Sequence, residues 1–238
     1  MCGRFRLSRR AQFLRAHYGI EDDIDWSPRY NIAPTQQVAV VRQDPKQPRR
    51  TYASMRWGLI PNCATDPSGG SRMINARAET VADKQAFAEP LRKRRCLIPA
   101  DAFYEWKRSS KQPYCFTLRD NAVFSFAGLW DNWRAPDGQW IRSCSILTTT
   151  PNALLTDIHD RMPVILSPDD YDLWLDPGFS SVADLTALLK PYDAREMTRF
   201  PVSTKVNSVA NEDETVCAPI PDEAVVEQMT TEQMGLDF

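Results

Sequence analysis

The sequence contains no apolar run that approaches the roughly 20 residues of a membrane-spanning helix. Its first residues also lack the basic and then apolar segments of a secretory signal peptide. The overall composition is that of a globular protein, with 42% hydrophobic and 25% charged residues among 238. A chain of this length forms one well-packed domain, or at most two small ones. We therefore expect a soluble, cytoplasmic protein.

Residues that bind metal ions are scarce. The chain has two histidines, His17 and His159, and no Cys-x-x-Cys pair. Its six cysteines are widely separated and lie at Cys2, Cys63, Cys96, Cys115, Cys144 and Cys217. A structural zinc site needs closely spaced Cys and His ligands, and a disulfide framework is typical of secreted proteins. The sequence predicts neither of them, and we expect no cofactor.

The net charge of −2 is unevenly distributed along the chain. Lys205 is the last basic residue, and eight of the 31 acidic residues follow it, which leaves 29 basic against 23 acidic residues before that point. The basic residues form clusters within residues 4–15, at 49–50 and at 92–95. One such cluster is usually a solvated face, but several in one domain favour a polyanionic partner.

The first two residues, Met1 and Cys2, carry the most distinctive chemistry of the chain. Removal of Met1 would leave Cys2 with a free α-amine beside its thiol. The amine has an ordinary pKa of about 7.7–8.0, and the thiol, near about 8.5, becomes more acidic beside a cation. This pair can attack an aldehyde twice, through nitrogen to a Schiff base and then through sulfur to a thiazolidine ring. The alternative is that Cys2 is a small buried apolar residue, as most free cysteines are.

Turn residues and apolar runs predict a chain that is rich in strands. Strand-like runs lie at 38–41, 52–57, 114–118, 123–130 and 140–149. This pattern favours an α+β fold with a strongly curved, mainly antiparallel sheet that closes toward a barrel, and with helices at its periphery.

Local signals predict where several helices begin. Ser8 is expected to be the N-cap of a helix that runs through Tyr18. A second helical segment covers about residues 81–93 and should be bent or broken at Pro90. A third helix should begin at Ser167, which precedes a proline and two acidic residues.

Three groups of polar residues could form a site. If the segment around Asn75 is extended, then Asn75, Arg77 and Glu79 share one face. The alternative is a solvated edge of the sheet.

Glu105 lies between Tyr104 and Trp106, so its carboxylate could be desolvated and have a raised pKa, which suits a general acid. An outward-facing glutamate on an amphipathic strand fits this pattern equally well. His159 is followed directly by an acidic and a basic residue between apolar runs. A lone histidine is more often structural, but this packing favours a site.

Six segments follow one another in an order that resembles the SOS-response-associated peptidase (SRAP) family. They are Met1 to Phe5, Tyr30 to Pro34, Arg56 to Pro61, Asn75 to Thr80, Cys96 to Ala100 with Phe103 to Trp106, and His159 to Pro163. The resemblance covers about residues 2–207 and implies a single domain of the barrel-like type. Residues 208–238 would then form an acidic, loosely ordered tail.

The resemblance implies a monomeric abasic-site sensor that binds single-stranded DNA and joins Cys2 covalently to the open-chain aldehyde of the lesion. Asn75 would position the α-amine and the forming ring. Glu105 would act as the acid that helps to open the deoxyribose, and His159 would transfer protons in Schiff-base formation and in crosslink reversal. The peptidase activity would concern removal of the chain's own Met1.

The resemblance also implies contacts to DNA of two kinds. Guanidinium groups suit phosphate oxygens, so Arg77 and Arg161, with Arg4 as a third, would contact phosphates that flank the lesion. Trp57 would press against the bases beside the abasic gap. The residues expected at DNA are Arg4, Asn31, Pro34, Trp57, Arg77 and Arg161.

Two other functions remain open at this point. An N-terminal cysteine also begins amidohydrolases, in which the thiolate attacks an amide and the α-amine is the base. That function would leave the basic clusters, Glu105 and His159 without a role. A noncovalent module that binds single strands would use the basic and aromatic residues but would not need Cys2.

Overall fold

The computed structural model describes residues 2–44 and 47–221. The strands are Phe5–Leu7 (β1), Arg29–Ile32 (β2), Gln37–Gln43 (β3), Arg50–Trp57 (β4), Asn75–Arg77 (β5), Arg95–Ala100 (β6), Ala102–Trp106 (β7), Pro113–Leu118 (β8), Phe124–Arg134 (β9), Trp140–Thr149 (β10), Met162–Pro163 (β11), Ile165–Leu166 (β12) and Met197–Pro201 (β13). The α-helices are Ala11–Tyr18 (α1), Gln85–Lys93 (α2), Tyr171–Leu175 (α3) and Val182–Ala187 (α4). Short 3₁₀ helices lie at Ser68–Arg72, Pro168–Asp170, Ala194–Glu196, Thr204–Asn207 and Glu214–Cys217.

Five strands close into a barrel in the order β10, β4, β3, β6 and β9, and β9 pairs again with β10. Among the described strands the pairing is antiparallel, except that β4 and β5 run parallel to β10. Alternate residues of each strand point inward, and the fully buried side chains of Val40, Met55, Ile98 and Phe126 fill the interior. The predicted α+β fold with a curved, mainly antiparallel sheet is confirmed.

A second sheet, in the order β13, β8, β7, β1 and β2, holds the amino terminus against one end of the barrel. Phe5 of β1 pairs with Phe103 of β7 on one side and with Ile32 of β2 on the other. Its ring packs edge-on against Trp57 and Phe126, with ring centroids 5.2 and 5.6 Å away. The aromatic contacts fix β1, and the residues just before it, at this end of the barrel.

The first predicted helix forms, but its cap is not Ser8. Helix α1 begins at Ala11, whereas the backbone N–H and the hydroxyl of Ser8 both donate to Asp101, at 2.7 and 2.6 Å. Arg6 donates to the same carboxylate at 2.5 Å. The Ser8 side chain is thus held at the buried Asp101 carboxyl group, and the N-cap position of α1 is taken by Arg10, which makes no side-chain capping bond. Gly19 ends the helix in a left-handed conformation with φ of 63°.

The second predicted helix begins later than expected, whereas the third begins at the predicted position. Residues 78–83 form turns, so α2 begins at Gln85, and it continues through Pro90 to Lys93 rather than breaking there. The helical segment at Ser167 begins where it was predicted, with Ser167 at the N-cap position of a 3₁₀ turn that contains the proline and two acidic residues, and α3 follows at Tyr171. Only the capping hydrogen bond of the Ser167 side chain is absent.

Residues 202–220, here called the C-terminal strap, pack against the body. Val206 and Val216 in this segment have no exposed surface. The Glu212 carboxylate accepts hydrogen bonds from the backbone N–H groups of Tyr30 and Asn31 at 2.8 and 2.9 Å. The predicted loose order after residue 207 is therefore wrong as far as the strap extends. The rest of the predicted tail, residues 222–238, lies outside the described residues.

Over residues 2–44 and 47–221, no helix is long and apolar enough to cross a membrane. The same residues contain no group of three His, Cys, Asp or Glu side chains that could hold a metal ion.

Gly128 is expected to tolerate no side chain, because it lies on the inner face of β9. A Cβ atom there would lie 2.8 Å from the Cys96 sulfur and 2.9 Å from Cδ1 of Ile98. We expect Gly128→Ala to lower the free energy of unfolding by about 1–3 kcal/mol, measured by urea denaturation. Gly69→Ala is the matched control, since the nearest atoms to its Cβ lie 4.0 Å away. Equal effects of the two substitutions would contradict the assignment of Gly128 to a tightly packed position.

Candidate active site

Strand pairing brings Cys2 close to Glu105. Strands β1 and β7 are antiparallel, with Phe5 opposite Phe103. The N–H of Tyr104 donates to the Arg4 carbonyl. Beyond these pairs, Cys2 lies before β1 and Glu105 lies near the end of β7, so the two residues come close together. Cys2 has no exposed surface, and Glu105 is 3% exposed. The charge of Glu105 acts directly on the Cys2 thiol. The two groups therefore share one enclosed environment.

Asn75 fixes the amino-terminal backbone from the other side. Its Nδ2 donates to the Cys2 carbonyl at 2.8 Å, and β5 is held in place by parallel pairing with β10, where Asn75 lies opposite Ile146. The buried Oδ1 of Asn75 has no hydrogen-bond partner. A buried amide oxygen with unused acceptor capacity beside a reactive residue is suited to receive a proton donor from a substrate.

The predicted row of Asn75, Arg77 and Glu79 forms only in part. The strand extends over Asn75 to Arg77, with Ala76 buried between them, and a turn begins at residue 78. Arg77 is exposed. Glu79 lies beyond the end of the strand and is bound by Arg161, whose two terminal nitrogens donate to its carboxylate at 2.6 and 2.9 Å.

The pKa of the Cys2 thiol is raised, contrary to the expected decrease. Burial is the largest cause, and the negative charge of Glu105 adds to it, while the positive charge of the amino terminus acts in the opposite direction. The thiol is therefore neutral at physiological pH, so that sulfur chemistry here needs a nearby group that accepts the proton.

Burial raises the pKa of the Glu105 carboxyl group to about 7. The positive charges of the amino terminus and of Arg108 oppose this increase, and Asp160 adds to it. A carboxyl group with a pKa near the working pH is present in both protonation states, and it can therefore serve as an acid and as a base. The expectation of a desolvated Glu105 is confirmed.

His159 is held by its backbone neighbours. Its Nδ1 accepts a hydrogen bond from the N–H of Arg161 at 3.0 Å and lies 3.1 Å from a carboxylate oxygen of Asp160. Asp160 also pairs with Arg108 at 2.5 Å. Burial, the amino terminus and Arg108 lower the pKa of His159, against the influence of Asp160. The imidazole is therefore neutral at pH 7, and its Nδ1 can either accept from Arg161 or donate to Asp160, depending on the tautomer.

Arg4 and Asn31 form a buried network with the C-terminal strap. A terminal nitrogen of Arg4 donates to Asn31 Oδ1 at 2.8 Å and to the Val206 carbonyl at 2.7 Å. The amide nitrogen of Asn31 donates to the carbonyls of Ser208 and Asn211 at 2.9 and 2.8 Å. Asn31 has no exposed surface, so the predicted contact of its side chain with DNA is wrong. Asn31 instead orients Arg4 and anchors the strap.

Two further residues expected at DNA lie in different surroundings. Trp57 is fully buried, and its indole N–H donates to the Ile74 carbonyl at 2.8 Å. The predicted stacking of Trp57 on bases is therefore wrong, because this ring belongs to the core. Pro34 is half-buried and lies in the turn after β2.

The guanidinium of Arg161 makes most of its hydrogen bonds to groups within the protein. Its side chain is 12% exposed, and besides Glu79 it donates to the Thr148 carbonyl at 2.6 Å. A phosphate at this position would have to displace the Glu79 carboxylate or share the guanidinium with it.

A family model described as SOS response associated peptidase (SRAP) matches residues 1–209. The chain belongs to the SRAP family. The abasic site processing protein YoqW of Bacillus subtilis (strain 168) is 43% identical to it over 217 residues, which cover 89% of this chain and 96% of YoqW. The abasic site processing protein HMCES of Mus musculus is 32% identical over 237 residues, covering 83% of this chain and 67% of HMCES.

The fold is also shared with solved structures. A crystal structure of a protein from Bacteroides thetaiotaomicron is similar with a TM-score of 0.83 and 27% sequence identity, and the match covers 92% of this chain and 100% of that one.

Two charged residues of this SRAP site were not expected from the sequence. Arg108 lies three positions after Glu105 at the start of the β7–β8 turn, so proximity along the chain was a usable signal. Glu212 binds the backbone of Tyr30 and Asn31 across more than 180 positions. No local pattern predicts a contact over such a separation.

The buried carboxyl group of Glu105 is expected to destabilise the SRAP fold at alkaline pH. Its pKa is about 7 in the folded chain against an ordinary 4.5, so the folded state binds the extra proton and stability falls as pH rises between these values. The free energy of unfolding of Glu105→Gln should therefore exceed that of wild type by about 3 kcal/mol well above pH 7 and should equal it below pH 4.5, because one pKa unit corresponds to about 1.4 kcal/mol.

Urea denaturation at both pH values measures this difference. Glu89→Gln is the control, because Arg94 lowers the pKa of the exposed Glu89 and no gain at alkaline pH is expected there. A Glu105→Gln chain that gains nothing at alkaline pH would show that this carboxyl group titrates normally.

Proposed function

We propose that this protein processes abasic sites in single-stranded DNA by forming a thiazolidine crosslink through Cys2 after Met1 has been removed. The observation that carries the proposal is the enclosure of Cys2 with Glu105, a carboxyl group whose pKa is about 7. The names of the relatives YoqW and HMCES as abasic site processing proteins support the choice of lesion. We further propose that the protein acts as a monomer in the cytoplasm.

The reaction would proceed in two additions. The α-amine of Cys2 attacks C1′ of the open-chain aldehyde, and the resulting carbinolamine loses water to give a Schiff base. The sulfur then adds to the same carbon while the thiol proton passes to nitrogen, which closes the five-membered ring. One water molecule is released in total, and no oxidant or reductant is needed.

Glu105 has the properties that both stages require. In its protonated form it would donate to the ring oxygen of the closed deoxyribose and so open the sugar to the aldehyde. In its ionised form it would accept the proton of the neutral Cys2 thiol, whose pKa is raised by burial. A pKa near neutral pH makes both forms available to one residue.

Asn75 would position the reacting groups, and His159 would transfer protons. The Asn75 amide already holds the Cys2 carbonyl, and its buried Oδ1 would accept a hydrogen bond from the forming ring or from the sugar. The neutral imidazole of His159 would accept protons during Schiff-base formation and return them when the crosslink reverses.

DNA would contact the arginines around the site, which are Arg4, Arg77 and Arg161. Arg77 is exposed beside Asn75 and would contact a phosphate next to the lesion. Arg4 would remain oriented by Asn31 through one terminal nitrogen while its other terminal nitrogen contacts the DNA. Arg161 would contribute if a phosphate competed with Glu79.

Removal of Met1 would be the peptidase step, and it would precede any crosslink. Cys2 has no α-amine until this peptide bond is cleaved, and in the unprocessed chain its side chain has no exposed surface. The crosslink would then shield the lesion, because a thiazolidine lacks the carbonyl that promotes β-elimination and strand breakage.

Cys2→Ala is expected to abolish the covalent product while leaving noncovalent binding of DNA intact. The measurement is denaturing electrophoresis of the protein after incubation with single-stranded DNA that carries one abasic site, with intact mass to verify that Met1 is absent. Cys63→Ala is the matched control, since Cys63 is an exposed free thiol elsewhere. Failure of the folded, processed wild type to form a denaturation-resistant band would refute the proposal and direct attention to amide substrates.

The Arg108–Asp160 ion pair should set the pH range of crosslinking. If protonated Glu105 opens the sugar, the initial rate falls as pH rises through about 7. Asp160→Asn removes a charge that raises the pKa of Glu105, so the fall should begin at lower pH. Arg108→Gln removes a charge that lowers this pKa and should move the fall to higher pH. Rates of crosslink formation across the pH range measure both effects.

Asp193→Asn provides the control, because it breaks another exposed arginine–aspartate pair. Shifts of the same direction in Asp160→Asn and Arg108→Gln would rule out Glu105 as the group that limits the rate.

A further inference from the structure

The end of the barrel opposite the active site carries a cluster of arginine and tryptophan side chains. In the pairing of β9 with β10, Trp140 lies opposite Arg134, Arg142 opposite Asn132 and Cys144 opposite Trp130. Opposite residues share one face of a sheet. We call Arg42, Trp130, Arg134, Trp140 and Arg142 the barrel mouth.

The strand directions place the barrel mouth far from Cys2. The Cys2 carbonyl is bound by Asn75, which lies opposite Ile146 of β10, and Ile146 lies opposite Gly128 of β9. Arg134 lies six residues beyond Gly128, which corresponds to roughly 20 Å along an extended strand. The barrel mouth is therefore outside the site described above.

Two of the three arginines of the barrel mouth lie on tryptophan rings. The guanidinium carbon of Arg42 is 4.9 Å from the ring centre of Trp130, and that of Arg134 is 5.8 Å from the ring centre of Trp140. Trp140 is 64% exposed. An exposed indole beside an arginine offers a flat surface on which a base can stack.

Ion pairs among the described residues do not neutralise the positive charge of the barrel mouth. Within residues 2–44 and 47–221, no ion pair joins Arg42, Arg134 or Arg142 to a carboxylate. Burial, and then repulsion from the nearby Arg142, lower the pKa of Arg42, although Asp44 opposes this decrease. Adjacent cations with unused donors attract an anion.

A groove of about 330 Å³ adjoins this cluster and is lined by Gln37, Ser54, Trp140, Ile141 and Arg142. Its polar walls can donate hydrogen bonds, and one side is the exposed indole. The groove thus combines a stacking surface with donors for phosphate oxygens.

We propose that the barrel mouth is a second contact site for single-stranded nucleic acid, where a base stacks on Trp140 and the flanking phosphates bind Arg134 and Arg142. Stacking on an aromatic ring is tolerant of sequence, and arginine binds phosphates of any sequence. The site would hold a strand that extends away from the lesion. That biological role rests on the proposed function, whereas binding itself does not.

The test measures the affinity of the processed full-length protein for an undamaged, fluorescently labelled oligothymidine over a range of salt concentrations. Trp140→Ala is expected to weaken binding about tenfold. The double variant Arg134→Gln with Arg142→Gln should reduce the slope of log K against log salt by about one. Phe13→Ala is the matched ring control, since Phe13 is also an exposed ring under an arginine, Arg9. Arg195→Gln is the charge control.

Unchanged affinity and salt slope in the barrel-mouth variants would overturn the proposal, as would losses no larger than those of the controls. Such a result would favour a protein, rather than a nucleic acid, as the partner of this surface. Crosslinking of a short oligonucleotide with a central abasic site is measured in parallel. A loss of barrel-mouth binding with normal crosslinking supports the second site, and a wild type that binds but never crosslinks refutes only the proposed function.

A second measurement needs no substitution near the site. Oligonucleotides that contain iododeoxyuridine are irradiated with the wild-type protein, and the photoadducts are mapped by mass spectrometry. The proposal predicts an adduct at Trp140. Adducts confined to peptides around the active site would overturn it.

Discussion

The pairing of β1 with β7 is the constraint on which the site depends. It carries the first residues of the chain into the core, so that Cys2 and Glu105 are enclosed together with almost no exposed surface. Enclosure raises the pKa of both groups, because a charge is poorly solvated there. The same burial thus gives the Glu105 carboxyl group a pKa near neutral pH and makes the Cys2 thiol a weaker acid. A reaction of the sulfur therefore needs a neighbouring base that accepts its proton.

The surroundings of this pair keep it in place from three directions. Asn75 holds the Cys2 backbone, the Phe5 ring locks β1 against the barrel, and the C-terminal strap holds Arg4 through Asn31. Each support comes from a different part of the chain. A barrel closed by strands distant in sequence gives such contacts a rigid frame, which is what a site of this kind requires.

Charge is divided between the two ends of the barrel. At the active-site end, several arginines are already bound to carboxylates or carbonyls, as Arg161 is to Glu79. At the barrel mouth, arginines lie on tryptophan rings and make no ion pair within the described residues. The basic excess of the sequence before Lys205 is therefore not one continuous surface, and the arginines without carboxylate partners matter most for binding a polyanion.

The sequence by itself determined the family, the α+β class and the chemistry available to Cys2, because short motifs and strand-like runs are local properties. It also indicated the desolvated Glu105 from its two aromatic neighbours. Only the tertiary structure decided that Trp57 and Asn31 are buried, that Asp101 takes the Ser8 hydroxyl, and that the C-terminal strap packs on β2. Burial and long-range hydrogen bonds depend on which distant segments meet, and no local pattern records that.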